Sequence, residues 1–543
     1  MKKTRTNIFI YIAAVLSLLL SGCSEEDTYQ EGTDDAARTA LSLQVNATAY
    51  HSSVGTRASD TGTATTFTDG DRLGIIVTHP DNSVEHFVYT YSGYYASWST
   101  PNPAYYDSRD SYAAYYPYKE ALRGKSLADV KSAFTPLANQ SDYATGYVLS
   151  DLMTCEKATI GANKSLQITL THAFPMLRFP VNVPVKSKCE DNNTYQYSVS
   201  VKDIVIHIGD TPYRAWVGND GYARLIVDGS NSGSDITVKS FYTLQGKRTE
   251  TSATVSSFAS GLYYTLTPSE SVLDDYKFSD VRVGDFYCRN SSGSGFVLPK
   301  EASLPDGLKN NCLGIVYWLG DIKGDNYTLL DSKFSDSGTH GLVVSLWNLA
   351  DPDNGNANML WTYGSYEYVN TWLGSATWSD GNTKPESFSS IQVTDKKQGY
   401  ANTIALQEYN KYIKSHTAGS GESADDYGQS GKKRVKPIIA LESFRTAHAA
   451  PSNSSDWYWP SIYELKYVCW GQDNGEGTSG KDMLNSQIEK VGGDVFRSDN
   501  YWSSTEDSSY SYWAWYVYFD NGGVYYVGSK NYDTYCVRPL LAF

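Results

Sequence analysis

No HExxH pair, GxSxG elbow or phosphate-cradling glycine loop occurs in the 543 residues, which removes the common zinc-protease, serine-hydrolase and nucleotide-binding signatures. The eight histidines (His51, His79, His86, His172, His207, His340, His416 and His448) stand at no metal-ligand spacing, and no cysteine pair has the CxxC spacing of a zinc or redox site. Positive charge is in deficit: 45 Lys and Arg face 60 acids, for a net charge of −15. Such a surface repels nucleic acid and anionic lipid headgroups, so neither is an expected partner. After the first twenty residues no apolar run approaches the ~20 residues of a bilayer-spanning helix. Asp351, Asp353, Asn354 and Asn356 cluster as in part of a calcium loop, but Thr362 stands where an EF-hand needs its last carboxylate. A solvated Asx turn is the preferred reading. Glu464 and Glu506 are the carboxylates available for acid/base work, but capping a helix and pairing with Arg538 are the simpler roles. No catalytic residue, cofactor or metal site is expected.

What is present is aromatic and polar. Tyr numbers 45 and aromatics make up 14% of the chain, while Met numbers 5. Rich also in Thr, Ser and Gly, this mixture favours strands and turns over helices. The start is different: Lys2, Lys3 and Arg5 precede an apolar run over 8–20, a leader to be excluded from fold reasoning. Leu20-Ser21-Gly22-Cys23 resembles the lipobox of bacterial lipoproteins, which implies acylation of Cys23 and an outer-membrane lipid as partner. Ser24-Glu25-Glu26-Asp27 is similar to the acidic export tag of surface-displayed lipoproteins, and a polar spacer runs to about 40. Losing the leader makes the remainder three charges more acidic. Six further cysteines (Cys155, Cys189, Cys288, Cys312, Cys469 and Cys536) permit disulfides in an exported protein, spacing favouring Cys288–Cys312 and Cys469–Cys536, with free buried thiols equally open.

Residues 41–47 alternate apolar and polar and predict one strand, followed by a Ser/Thr/Gly loop holding Thr56-Arg57-Ala58, a protease-accessible setting. Phe67-Thr68-Asp69-Gly70-Asp71-Arg72-Leu73-Gly74-Ile75 is a turn entering a buried strand. With Tyr112-Ala113-Ala114-Tyr115-Tyr116-Pro117 and the Leu170-Thr171-His172-Ala173-Phe174 to Phe179 segment, it resembles the fimbrillin family of type V fimbriae. The resemblance covers roughly 41–268 in two β-rich modules dividing near Pro184. It implies β-sandwiches, cleavage between Arg57 and Ala58, and removal of the first strand so that other fimbrial subunits can associate by donor-strand exchange. Tyr115 and Phe179 are expected in the sandwich core. Ile204, Ile206 and Ile208 alternate, and Gly218-Asn219-Asp220-Gly221 reads as a hairpin turn before Leu225-Ile226-Val227. A short Pro/Ser/Glu link over 268–271 leads onward.

From about Val281 helices are expected. Asn402 reads as the cap of a helix through Lys414, Ser461-Ile462-Tyr463-Glu464 as a capping box, and Gly492 as the stop of a helix facing inward through Leu484, Ile488 and Val491. Trp457-Tyr458-Trp459-Pro460-Ser461, Tyr501-Trp502-Ser503-Ser504-Thr505-Glu506, Ala514-Trp515 and Val537-Arg538-Pro539 together resemble the Lcl C-terminal type of collagen-like adhesins, which is similar to C-type-lectin-like modules. Trp459 stands where that family has Leu. The resemblance implies binding of surface glycans. From 457 to 543 there are eleven acids against six bases, which favours a neutral sugar or a protein over a sulfated polymer.

The expected organisation is therefore mainly β: leader 1–22, acidic linker 23–40, fimbrillin-like β-sandwich modules over 41–184 and 185–270, and an α+β lectin-like head over 271–543. The expected function is a cell-surface fimbrial adhesin, in a tip or accessory position, that binds a glycan or surface protein. A stand-alone glycan-capture lipoprotein of a nutrient-uptake system is the alternative, and a hydrolase a distant third. Tyr510, Tyr512, Trp513, Trp515, Tyr516 and Tyr518 offer stacking faces for a sugar; Asp520, Asn521 and Asn531 offer hydrogen bonds to its hydroxyls. Strand alternation puts Trp513, Trp515 and Val517 on one face and Ala514, Tyr516 and Tyr518 on the other. Trp515 is the expected core member, and Tyr516 and Tyr518 the expected contacts.

Overall fold

The computed structural model describes residues 39–52, 66–229, 236–244, 247–255, 258–322, 324–326, 334, 338–375, 388–472 and 475–543. Strands predominate among them and form six sheets. Alternation explains the first strand, Ser42–Ala47: Leu43, Val45 and Ala47 turn inward while Ser42, Gln44 and Asn46 stay exposed. It lies at the edge of an eight-stranded sheet, parallel to Ser165–His172, with Leu43 opposite Leu166 and Val45 opposite Ile168. Deeper in that sheet, Arg72–Thr78 buries Leu73, Ile75, Ile76 and Val77, because both of its faces are covered. Its entry turn closes as the sequence expects. The Asp71 carboxylate accepts the Thr68 backbone N–H at 2.7 Å, and Gly70 takes φ +89°, a conformation that favours glycine.

A buried polar clasp ties the segment after the first strand to this module. His172 Nδ1 lies 2.9 Å from Asp151 Oδ1, and its Nε2 lies 2.9 Å from the Thr48 carbonyl. The Tyr50 hydroxyl donates to the same Asp151 oxygen at 2.8 Å, and its ring stacks on the imidazole with centroids 3.7 Å apart.

The passage into the second module is made by sheet. Asn182–Lys188 carries Pro184 within it and pairs antiparallel with Thr194–Ser200. Ile204 and Ile206 are buried, and the expected hairpin turn forms, Gly218 N–H donating to the Tyr222 carbonyl at 2.9 Å. The stretch over 268–271 is not the open link its composition suggests. Pro268 is buried, and Ser271–Val272 pairs in parallel with Val185 and Lys186. From the head, Ala302–Ser303 joins the same sheet opposite Val199 and Ser198. One buried cluster thus runs from Phe179 in the first module and Tyr242 in the second, through Phe286 and Ile315, to Val468 and Ile488 in the head.

In the head, two five-stranded sheets are flanked by helices. One contains Cys312–Leu319 at its centre and ends with Leu540–Ala542 paired against Gly341–Ser345. The other runs Asn358–Met359, Tyr535–Cys536, Asn500–Glu506, Trp513–Tyr518 and Gly523–Ser529, in that order. Helix Ile462–Trp470 opens on a complete capping box, Ser461 and Glu464 exchanging side-chain and backbone bonds. Ser479–Val491 buries Leu484, Ile488 and Val491 and stops at Gly492, whose φ is +74°. Gly399–Ser415 starts three residues before the expected cap. Asn402 is inside it and fully buried, donating to Ser504 Oγ at 3.1 Å and accepting from Gln398 Nε2 at 2.9 Å. Helix propensity around an Asn is a local signal; here a tertiary partner on the next sheet claims the side chain instead.

Four indoles anchor the head core: Trp361, Trp457, Trp459 and Trp502 are fully buried. Each N–H donates to a carbonyl, of Ser503, His448, Trp502 and Met359 respectively, at 2.7–3.1 Å. None of these four donors is left unpaired by burial, which keeps the polar cost of so much aromatic volume low.

Candidate functional site

The hairpin of Trp513–Tyr518 and Gly523–Ser529 forms the outer edge of the second head sheet. Both of its faces meet a core. Val517 packs with partly buried Trp515 and Val524 in one cluster, and Ala514 with partly buried Tyr516 in the other. The expected alternation therefore holds, but the expected split between a buried Trp515 and an exposed Tyr516 does not: both rings are partly buried. Opposite Trp515 the outer strand carries two residues, Tyr526 and Val527, because the register slips between Ala514 and Tyr516. That bulge turns extra aromatic surface to solvent.

The result is a connected aromatic strip. Tyr366 touches Tyr512 edge-on with centroids 5.5 Å apart, Tyr512 touches Trp513 at 5.2 Å, Trp513 touches Tyr526 at 5.9 Å, and Tyr526 touches Trp515 at 5.5 Å. Tyr510 leans on Trp513 at 4.4 Å. Tyr510 and Tyr526 are 47% and 46% exposed, so the strip is a surface and not a core edge. On the other face Tyr516 stacks with Tyr525 and reaches Tyr535 and Trp502, which ties it to the buried indoles. Tyr366, Tyr525 and Tyr526 are not legible as surface groups from the sequence, because the bulge that exposes the last two leaves no local signature. Tyr532, beside Asn531, is 83% exposed and equally without one.

The polar candidates divide. Asp520 and Asn521 are exposed at the hairpin tip, Asn521 Oδ1 accepting the Gly523 N–H at 2.9 Å. The tip itself is fixed by Trp470, whose indole N–H donates to the Gly522 carbonyl at 2.7 Å. Asn531 is spoken for: its Nδ2 donates to the Gly364 carbonyl at 2.9 Å, and its Oδ1 accepts from Ser529. Tyr518 is half-buried at the start of the turn.

Elsewhere the structure resolves the sequence's ambiguities. Among the described residues no group of acidic, histidine or cysteine side chains is placed to hold a metal ion. In the acidic loop the cation is a side chain, since Lys436 Nζ lies 2.7 Å from Asp351 Oδ2 and 2.8 Å from Asp353 Oδ2. Asp353 and Asn356 N–H groups close Asx turns on Asp351 and Asn354. Glu464 and Glu506 both cap helices. Glu464 accepts from Ser461, Tyr458 and the Gly399 N–H, and Glu506 accepts the Val369 N–H at 2.9 Å and the Asn370 N–H at 3.1 Å. Neither pairs with Arg538. That guanidinium is wholly buried and donates to the Ser345 and Asp494 carbonyls and to Asn348 Oδ1, while Glu506 pairs with the equally buried Lys530. Cys288 and Cys312 are cross-strand partners with Sγ atoms 3.2 Å apart. Cys469 and Cys536 are not partners: one thiol faces the Gly477 carbonyl and the other Asn358 Oδ1. Cys23, Arg57 and Ala58 lie outside the described residues.

No protein-family model matches the chain. Over an alignment of 580 residues it is 27% identical to a Bacteroides ovatus protein named "Putative fimbrium tip subunit Fim1C", with 98% of each chain covered. Among solved structures, a fimbrial protein from Bacteroides ovatus is 20% identical and covers 93% of this chain and 100% of its own, at a TM-score of 0.37.

Proposed function

We propose that this chain is a fimbrial adhesin displayed at the cell surface, occupying a terminal position and binding a glycan through the aromatic strip of its head. The observation that carries the reading is the strip itself: five linked rings from Tyr366 to Trp515, solvent-facing at the edge of a rigid sheet, with Asp520 and Asn521 at the adjoining tip. Flat aromatic faces stack on the C–H faces of sugars, and the neighbouring amide and carboxylate bond their hydroxyls. The end-to-end similarity to a protein named as a fimbrium tip subunit supports the fimbrial setting. The pairing of Leu540–Ala542 with Gly341–Ser345 keeps that strand within the head sheet, which suits a terminal position.

At the other end, acylation of Cys23 anchors the newly exported chain to outer-membrane lipid, and cleavage after Arg57 releases the body for assembly. Departure of Ser42–Ala47 uncovers one edge of Ser165–His172, where a donor strand from another subunit would set apolar residues against Leu166 and Ile168. Sequencing the N-terminus of the assembled protein tests this: a start at Ala58 is expected, and a start at Cys23 alone supports a permanently tethered role. For the head, a glycan array probed with the mature chain is expected to give a hit that Tyr526→Ala and Trp513→Ala each weaken by about 1 kcal/mol without unfolding. No glycan hit, or unchanged binding by both variants, defeats the assignment.

A further inference from the structure

A second recess on the head is built from other elements. It has a volume of about 280 Å³, opens to solvent, and lies between the end of Phe286–Arg289, the Asn310–Asn311 turn, Trp347 and the C-terminal end of helix Lys436–Ala447. Its wall is aromatic: Trp347 stacks on His448 with centroids 4.0 Å apart and planes inclined by 19°. Its charge is Arg289. The guanidinium Nε is buried without a hydrogen-bond partner, and among the described residues Arg289 makes no side-chain hydrogen bond, ion pair or ring contact. No carboxylate lines the recess, and burial lowers the His448 pKa, leaving Arg289 as its one charged group at neutral pH. Asn310 and Asn311 add side-chain amides that have no partner among the described residues.

Arg289 is only partly buried and its terminal guanidinium nitrogens are not closed off as Nε is, so a ligand in the recess meets those nitrogens, and a planar carboxylate is the group that bonds them in two-pronged fashion. The volume is at the small end of ligand pockets, which start near ~300 Å³, so it suits one sugar ring and not an extended chain. We infer that this recess binds a carboxylate-bearing monosaccharide unit, with Arg289 on the carboxylate, the Trp347–His448 pair against the ring and the Asn310 and Asn311 amides on its hydroxyls. The chain's net charge of −15 opposes polyanions at long range, so recognition is of a single terminal acidic sugar. The site shares no residue with the aromatic strip and stands whether or not the strip binds a glycan.

The test is titration of the mature chain with methyl glucuronide, methyl galacturonide and N-acetylneuraminic acid, against methyl glucoside as the neutral counterpart and a blocked dipeptide with a free C-terminus. Binding is read by ligand-observed NMR. At least one acidic sugar is expected to bind ten times or more tighter than the glucoside, and Arg289→Gln is expected to abolish the difference. Should Arg289→Gln fail to fold, Asn310→Asp places a repelling carboxylate at the exposed rim and is expected to weaken the acidic sugar at least fivefold. Equal binding of acidic and neutral sugars, binding of the dipeptide alone, or acidic-sugar binding unchanged in the folded variants overturns the proposal.

Discussion

Lys530 is a buried cation at the centre of the head. It is fully buried, its ammonium pairs with fully buried Glu506, it donates to the Glu367 carbonyl at 3.1 Å, and it lies 4.9 Å from the Trp361 ring. Desolvation pushes its pKa down, and Glu506 is the chief opposing influence. Removing one member of such a pair strands the other charge, which costs about 3–5 kcal/mol. Lys530→Met should therefore lower head stability by that much in urea denaturation, and adding Glu506→Gln should recover part of it. Glu464 behaves oppositely. Burial pushes its carboxyl up to about 7, although Ser461, Tyr458 and Gly399 all donate to it and pull it down. A raised carboxyl means the folded state holds a proton that the unfolded state has released. Its contribution to stability is thus complete below about pH 4.5 and is lost as pH rises through about 7, at ~1.4 kcal/mol for each pH unit crossed. In Glu464→Gln, the stability measured between pH 5 and 8 should lose that part of its slope; an unchanged slope would show that the carboxyl titrates normally.

At the scale of elements, what was legible in the sequence is what local chemistry decides. The capping box at Ser461, the stop at Gly492, the alternation of Ser42–Ala47 and the Gly218–Gly221 turn each need only a few neighbouring residues, and each formed. The misreadings needed distant partners. Asn402 is claimed by Ser504 and Arg538 by carbonyls across the core, whereas the acidic loop formed its Asx turns as expected and only its pairing with Lys436 came from afar. The bulge opposite Trp515 also arises between strands, which is why Tyr526 carries no local sign of its place in the aromatic strip, and Tyr366 joins the strip from a distant loop through its contact with Tyr512. Being only partly buried, Trp515 should cost roughly 1–2 kcal/mol on replacement by Ala, whereas fully buried Trp502 should cost about 3–5. Equal losses in thermal denaturation would contradict this ranking. Cys288 and Cys312 are free buried thiols that face each other across an antiparallel pair with Sγ atoms 3.2 Å apart, placed to be joined on oxidation. Peptide mapping of the oxidised protein without reductant should find that link, while the buried thiols Cys155, Cys189, Cys469 and Cys536 alkylate only after unfolding.

For the whole molecule, the decisive feature is that the core does not respect the boundary that composition places near 270. Leu177, Phe179 and Tyr242 belong to the same buried cluster as Phe286, Ile315 and Val468. Sheet pairing crosses the boundary twice, at Ser271–Val272 and at Ala302–Ser303. Polar bonds cross it as well: the Phe278 N–H donates to Glu190 at 3.2 Å, and Asn290 Nδ2 donates to Asp191 at 2.7 Å. Tyr195 lies flat on Phe296, with centroids 4.0 Å apart and planes 4° from parallel. The first module is only partly separate: Leu73, Ile75, Tyr112 and Leu166 form a cluster of their own, but Ile76, Tyr115 and Met176 are buried together with Ile226 of the second module, and Met176–Pro180 pairs with Tyr222–Ile226. Cooperativity follows the cores and not the sequence composition, because elements sharing a buried cluster lose their packing together. The second module and head should consequently melt as one calorimetric unit, with the first module coupled to it through the cluster around Ile226. Cutting the chain at 281 removes much of the shared cluster and the strand that pairs with Ala302–Ser303, so a 281–543 fragment should melt well below the same region in the full chain, while a 175–543 fragment, which keeps both, should melt closer to it. Equal melting temperatures for the two fragments would show that the head stands alone and that this interface is only a dock. If the coupling holds, a load drawn on the head reaches the second module through paired strands and a packed core, with no flexible hinge at the 270 boundary.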